Sequence, residues 1–412
     1  MKKISLSLFL FGNLLNAYTL TVNECINTAL DTHPDIKIAQ QNIKINKLQH
    51  TNIIGDYLPQ ISLDLEYNPT KTVVLPVNGE LNTIDTDGYM ANINLKQRIW
   101  DFGRTTDSLK INHNDLKISK YLLNDKKSLL AYKIKVQYEL MFFYKKVIEV
   151  KRQDLFLKEE YYKKAREQAN VGEKTHIEEK RFLTSVYNAE DALKTSILDY
   201  KKSKYTLSNY IGIDLSDKEI ELVNTHTASK KIVQVTLDNS PGIKILKEEI
   251  RKQHNSSSLA YKSHFGSIDL KANLSYQNSI NEYDTSYVGV SLNIPIYNGG
   301  KISNQVQISR INELKSKYKL EAQKRNMLED INNSLIDVQK FRETISTKKL
   351  QINNSVDTLD IIKERWKVGM ATYIEVLDAN SILLNSRLDL LKNKFNLNQT
   401  IHKIEFLNGE IK

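Results

Sequence analysis

Val171-Gly172-Glu173-Lys174-Thr175-His176-Ile177-Glu178 returns later in the chain as Val368-Gly369-Met370-Ala371-Thr372-Tyr373-Ile374-Glu375, at an offset of 368 − 171 = 197 residues. The same offset sets Trp100-Asp101-Phe102-Gly103-Arg104 on Tyr297-Asn298-Gly299-Gly300-Lys301, and Gly212 on Gly409. Nearer the start the offset is 241 − 34 = 207, bringing Pro34-Asp35-Ile36 onto Pro241-Gly242-Ile243, and Ile61 and Leu63 onto Ile268 and Leu270. The difference, 207 − 197 = 10 residues, falls between residues 64 and 90. It is expected in a solvent-facing loop at about Pro69 to Gly88, where a change of length is tolerated. Self-similarity at so long a period means one unit used twice, and it outranks local propensity in deciding a fold. The implied divisions are a first repeat over 18–212, a linker over 213–229 and a second repeat over 230–412.

Each copy reads helix, strand, loop, strand, long helix, turn, helix. Ile61, Leu63, Leu65 and Tyr67 interleave with Ser62, Asp64, Glu66 and Asn68; Ala91, Ile93, Leu95 and Ile99 interleave with Asn92, Asn94, Lys96 and Arg98. In the second copy Ile268, Leu270, Ala272 and Leu274 alternate with Asp269, Lys271, Asn273 and Ser275, and Val288 to Ile296 alternates likewise. Strands with one apolar and one charged face, roughly 9–11 residues long, have the length needed to cross a membrane at a tilt. From Phe102 to Asn170 there is no proline, and glycine occurs only at Gly103. A helix over that span is about 100 Å long at ~1.5 Å per residue. Leu109, Leu116, Leu123 and Leu130 recur by sevens, then Ile134, Met141, Ile148, Leu155 and Tyr162. Ile331, Val338, Ile345, Ile352, Leu359 and Trp366 do the same in the second copy, which is coiled-coil spacing. Shorter helices, about Val22 to Tyr57 and Glu173 to Ile211, would stack end to end beside the first long one.

The chain's 412 residues are 26% charged, and the mean hydropathy is −0.45, which excludes a multi-helix membrane protein. Its formal charge of +10 comes from lysines scattered among acids on helical stretches, as solvated coiled-coil faces require, so nucleic acid is not an expected partner. Lys2 and Lys3 followed by apolar Ile4 to Leu15 and the small Ala17 read as a signal peptide over 1–17. Its removal leaves a charge of +10 − 2 = +8. Cys25 is the only cysteine, so no intramolecular disulfide forms; Thr21-Val22-Asn23-Glu24 before it is not a lipidation context, and it is expected to pack inside the first helix. The histidines are dispersed and no metal, nucleophile or phosphate-loop pattern occurs, so neither an enzyme nor a cofactor is expected.

Four strands cannot close a barrel, and lipid does not tolerate open sheet edges, so membrane-spanning strands here require several chains to share one barrel. Asp64, Glu66, Asn92, Asn94, Lys96, Arg98, Asp269 and Lys271 would then line its water-filled lumen. This arrangement resembles the TolC-type outer-membrane efflux family over nearly the whole mature chain. Its most specific marks are Asn293-Ile294-Pro295-Ile296-Tyr297-Asn298-Gly299-Gly300 and Val368-Gly369-Met370-Ala371-Thr372-Tyr373-Ile374-Glu375-Val376-Leu377-Asp378-Ala379. The resemblance implies a mainly α fold with membrane β-strands: long coiled-coil helices forming an α-barrel, and four strands per chain in a twelve-stranded barrel made by a homotrimer. It further implies an outer-membrane channel extending into the periplasm, conducting passively for an efflux or secretion system with a periplasmic adaptor (membrane fusion protein) and an inner-membrane pump. The competing reading is a soluble periplasmic coiled-coil scaffold or adaptor.

By the same resemblance the two turns meet the adaptor. The first is Val171, Gly172, Glu173, Lys174 and Thr175; the second is Val368, Gly369, Met370, Ala371 and Thr372. Glu375 and Asp378, one helical turn apart, match acids that line the family's constricted entrance, where crowding would raise some carboxylate pKa values. Glu178 matches an acid that pins the closed entrance through an arginine, but that arginine position is Ala371 here, with Trp366 at a neighbouring aromatic position. Lys174 is the substitute cation within the sequence.

Overall fold

The computed structural model describes residues 18–77, 79–216, 218, 220–222, 236–278 and 282–409. The expected signal peptide lies outside them. In chain order the elements are β1 (Tyr18–Leu20), α1 (Val22–Thr32), α2 (Pro34–Gly55), β2 (Gln60–Val77), β3 (Glu80–Trp100), α3 (Arg104–Asn170) and α4 (His176–Ile211). Then follow β4 (Ile220–Leu222), a 3₁₀ turn at Leu237–Asn239, α5 (Pro241–Lys262), β5 (Ser267–Asn278), β6 (Glu282–Asn293), α6 (Lys301–Lys367) and α7 (Tyr373–Leu407). Both long helices run 67 residues, and both reversals between helices fall at the repeated Val-Gly pairs.

The chain divides into two units, one built from the segments up to Lys37, Lys126–Leu237 and Met327 onward, the other from Ile38–Asp125 and Asp238–Asn326. The second unit holds an antiparallel sheet in the order β2-β3-β5-β6. Directly paired residues share a face, so the register Asp64↔Asn92↔Ser275 and Gln60↔Lys96↔Lys271↔Gly289 puts the polar positions of all strands on one side. The other side carries Ile61, Leu63, Leu65, Ile93, Leu274, Val288 and Val290, all exposed in the single chain; Leu65 is 72% and Val288 77% exposed. An apolar sheet face bared on this scale needs a partner or a lipid phase. Aromatic rings bracket it. Tyr67 stacks on its cross-strand neighbour Tyr89 at 4.8 Å, and at the other end Trp100, Phe102 and Phe265 pack together, with centroids 6.3 and 5.8 Å apart. From Tyr89 to Trp100 the strand rises about 36 Å at ~3.3 Å per residue. Tilted by ~45°, that is about 25 Å, the height of an outer-membrane apolar band between its aromatic girdles.

Three sequence expectations change. The stretch from Pro69 to Gly88 is not a loop: after an irregularity between Asn68 and Lys71, pairing continues from Lys71↔Thr86 to Val77↔Glu80, and the hairpin reverses at Gly79 with φ 87°. The insertion therefore lengthens a strand pair beyond Asn278, the last residue of β5. The expected helix from Val22 to Tyr57 is broken at His33, because Pro34 lacks the N–H that would continue α1 and instead starts α2. The 213–229 linker contains β4, which pairs in parallel with β1 in the first unit; residues 223–229 lie outside the described residues.

In that first unit the partners run in opposite directions along each helix pair. Gln137 and Lys151 of α3 donate to the carbonyls of Ser203 and Ala192 on α4. Glu139 and Asp154 of α3 accept from Asn398 and Asn380 of α7, and Lys348 and Asp330 of α6 pair with Asp389 and Lys403 of α7. The sevenfold stripe is what they bury: Leu130, Ile134, Met141 and Ile148 on α3, and Ile331, Val338, Leu359 and Trp366 on α6. Cys25 is buried in α1, and desolvation, with Glu24 beside it, pushes its thiol up to about 12, which leaves it protonated and unreactive.

Gly266, between α5 and β5, has φ 76°, and a Cβ there would lie 1.8 Å from the Asn293 carbonyl oxygen. Gly266→Ala is expected to break the start of the β5–β6 pairing. A thermal melt of the folded protein should fall by many degrees, whereas Gly55→Ala, whose Cβ meets nothing within 4 Å, should leave it unchanged.

Candidate functional site

The eight polar strand residues singled out from the sequence share one face of the sheet. Asn273 donates to Asn94 at 2.8 Å and Asn94 to Asp64 at 2.7 Å, a chain of side-chain hydrogen bonds crossing three strands. Glu66 accepts from Asn68 at 2.9 Å. Arg98 Nε lies 3.6 Å from Asp269, which also accepts from Ser267 at 3.0 Å and is buried. Asn92 lies directly across from Asp64, and Lys96 across from Lys271. A face of this composition suits water rather than lipid or a packed core.

The second candidate region is the pair of helix reversals in the first unit. Both are tight turns with glycine in the left-handed region, Gly172 at φ 80° and Gly369 at φ 77°, where a side chain would be strained. The amides of Glu173 and Lys174 close the first turn on the Gln168 carbonyl at 2.9 and 3.2 Å. In the second, Met370 N–H donates to the Arg365 carbonyl at 2.8 Å, and the Arg365 guanidinium returns to the Met370 carbonyl at 3.2 Å.

The repeated Thr-x-x-Glu meets two fates. Thr372 and Glu375 form a full capping box on α7: Glu375 N–H donates to Thr372 Oγ1, while the Glu375 carboxylate accepts from Thr372 N–H at 2.6 Å and its hydroxyl at 2.9 Å. Those bonds hold the Glu375 carboxyl below its usual range, so within the chain its shift runs opposite to the rise expected from crowding. In the first copy Thr175 still caps Glu178 N–H at 3.4 Å, but the Glu178 carboxylate turns to Lys174, with Nζ 3.9 Å from Oε2. Lys174 stands where the second copy has Ala371. That one difference supplies a cation for one carboxylate and leaves the other to its cap. Asp378 is exposed, one turn beyond Glu375.

Two expected entrance and contact residues are interior instead. Trp366 is 1% exposed and Ala371 6%; they pack with Tyr161, Ala165, Phe182 and Val376 in one cluster fed by all four helices. The Phe182 and Trp366 rings are 5.6 Å apart, and Tyr161 meets both. Tyr373 packs against Phe182, with Arg181 over its ring at 4.8 Å. The repeat explains the fit: Phe182 corresponds to Ala379 and Trp366 to Ala169, so each large ring has a small counterpart in the other copy. Burial, with Asp360 nearby, pushes the Tyr161 hydroxyl up to about 12. Tyr161 Oη, Tyr373 Oη, Trp366 Nε1, Gln168 Oε1 and Glu178 Oε2 are buried without a hydrogen-bond partner. Tilted and edge-to-face ring contacts, rather than side-chain hydrogen bonds, join the two turns among the described residues. Outside the cluster the turns stay apolar and bare, with Val171 71% and Val368 69% exposed, and Met370, Ile177 and Ile374 exposed as well.

Residues 232–410 match the family described as outer membrane efflux protein. BepC, an outer membrane efflux protein of Brucella suis, is 22% identical over 400 residues, covering 94% of this chain and 82% of BepC. TolC of Escherichia coli is 28% identical over 109 residues, 26% of this chain and only 22% of the length of TolC. The crystal structure of the outer membrane protein VceC from Vibrio cholerae superposes with a TM-score of 0.81 at 15% identity, over 94% of this chain and 96% of that one.

Only two tryptophans occur, so Trp100→Phe leaves Trp366 as a reporter of the ring cluster. Its fluorescence should resist acrylamide quenching, and Phe182→Ala, at a cost of about 3–5 kcal/mol, should expose it. The Glu375 cap should be intact above its ordinary value of 4.5 and be lost as pH falls through the lowered one. Hydrogen exchange in the first turn of α7 should accelerate there, and Glu375→Gln should abolish that pH dependence.

Proposed function

We propose that three copies of this chain, which belongs to the TolC-type family of outer membrane efflux proteins, close a passive channel through the bacterial outer membrane. The observation that carries it is the four-stranded sheet with one bare apolar face about a membrane thick, one hydrogen-bonded polar face and two open edges. The bare apolar face is costly in water, and the open edges and polar face are costly in lipid. All three are met at once when three sheets join edge to edge into twelve strands, with lipid outside and water within. Asp64, Glu66, Asn92, Asn94, Lys96, Arg98, Asp269 and Lys271 then wet the lumen. No bond is made or broken in the cargo; a pump at the inner membrane supplies the energy.

The helix reversals are the docking end for a periplasmic adaptor. Val171 and Ile177 on one tip, and Val368 and Ile374 in the same places on the other, are exposed apolar side chains, joined by exposed Met370, the kind of pattern a partner's helical hairpin covers. Gly172 and Gly369 shape the turns, and Glu173 sits on the exposed side of the first. Glu178, Lys174, Glu375 and Asp378 supply the charge near the entrance. The gate is a clasp of rings rather than an ionic latch, since the Lys174–Glu178 contact is long while Phe182, Trp366 and Tyr161 are fully packed.

Purified protein in planar bilayers should give discrete, long-lived channels. Glu375→Ala/Asp378→Ala should alter conductance or cation preference. Phe182→Ala should raise open probability at least several-fold, while Lys174→Ala changes it little. Absence of channels from a protein that stays soluble without detergent contradicts the barrel and favours a coiled-coil scaffold. Val171→Asp/Met370→Asp should lower export in cells without lowering single-channel conductance.

A further inference from the structure

Lys96 and Lys271 face each other directly across the β3–β5 pair, in a row that reads Gln60, Lys96, Lys271, Gly289 from one edge of the sheet to the other. Like charges placed directly opposite are destabilising in a sheet and need a compensating neighbour. None is supplied. Neither lysine has an ion pair among the described residues, and both are exposed. The next row toward the helices holds Arg98 and Asp269, which face each other at 3.6 Å. The next row the other way is neutral, with Ser62, Asn94, Asn273 and Tyr287. Asp64 stands one row further on, about 13 Å from the lysine row at ~3.3 Å per residue, and it is already held by Asn94 at 2.7 Å. Beside Lys271 the row ends at Gly289, where even a Cβ would meet nothing within 4 Å. The lysine pair thus borders open space, and the nearest acid, Asp269 in the adjacent row, is turned to Arg98 rather than to either lysine.

The inference rests on the reading that the sheet closes, three chains together, around a water-filled lumen. With strands ~4.8 Å apart and tilted by ~40°, twelve of them give a backbone radius of about 12 Å. A lysine reaches inward by roughly half of that, so six ammonium groups lie on a ring whose neighbours fall within one Debye length of ~8 Å. A low-dielectric wall around a charged constriction focuses the field and concentrates counter-ions. We propose that Lys96 and Lys271 form an anion-binding belt inside the barrel, which takes multivalent anions: phosphate-bearing or polycarboxylate groups, free or carried by cargo. Two to six ammoniums can face such a group at once, and a monovalent anion gains far less. Toward the far rim the same lumen turns acidic at Asp64 and Glu66, so a passing solute crosses zones of opposite sign.

The test uses the full protein in planar bilayers with inorganic pyrophosphate added to the bath. Pyrophosphate should lower the current at millimolar concentration. The half-blocking concentration should rise at least tenfold in Lys96→Gln/Lys271→Gln, and stay within about twofold of the original in Lys96→Arg/Lys271→Arg. Under a potassium chloride gradient, the reversal potential of the glutamine variant should also move toward greater cation preference. Channels that conduct normally but are blocked equally in the glutamine variant, or not blocked at all, overturn the belt and leave the barrel reading intact. If none of the three proteins forms channels, the barrel reading fails and the belt with it.

Discussion

Unsatisfied backbone at the two edges of one sheet is the constraint on which the rest depends. The order β2-β3-β5-β6 leaves the outer N–H and C=O groups of β2 and β6 without a ladder partner among the described residues. In water such edges are tolerable; in lipid each bare group costs several kcal/mol. If, as proposed, the sheet's apolar face and its aromatic borders sit in lipid, its edges require neighbours of the same kind. The proposed assembly rests on this hydrogen-bond accounting, and its proposed water-filled interior on the polar face that closure would turn inward.

Duplication provides the material, and small departures between the copies provide the device. Both copies keep Val-Gly at the reversal and Thr-x-x-Glu after it, because a left-handed glycine and an N-cap are what a tight antiparallel turn needs. Lys174 against Ala371 then redirects one glutamate from its cap to an ion pair. Phe182 stands where the second copy has Ala379, and Trp366 where the first has Ala169, so each copy brings one large ring that the other lacks to a cluster that also holds the small Ala165 and Ala371. The Tyr161 and Tyr373 hydroxyls and the Trp366 indole N–H, buried in that cluster without a hydrogen bond, oppose the packing that holds it. If the cluster is the proposed clasp, this internal opposition makes it easier to open than one sealed by apolar groups alone.

How much of this could be read beforehand depended on the range of the interaction. The sevenfold stripe of Leu130, Ile134, Met141 and Ile148 is local periodicity, and α3 spans almost the range expected from it. The shared face of Asp64, Asn92, Asn94, Lys96 and Lys271 is likewise local, since alternation fixes it once strands form. Two misses were local as well and left signals in the chain. Asn78-Gly79 is a strong hairpin dipeptide, yet the 10-residue length difference between the copies pointed to a loop over 69–88. Thr372-x-x-Glu375 spells a capping box, but the entrance reading drew attention to the glutamate's charge and away from its cap. The burial of Trp366 and Ala371 is different. It depends on which residues of another hairpin arrive beside them, and no spacing within either turn encodes that.

The central claim is that this chain completes its sheet only with two further copies. Native mass spectrometry of the detergent-extracted protein measures that directly, because the number of chains per particle follows from the mass. A trimer that persists in detergent, and is lost when β2 or β6 edge residues are replaced by proline, is the predicted result. A monomeric or dimeric particle, or a trimer indifferent to proline at both edges, contradicts the account.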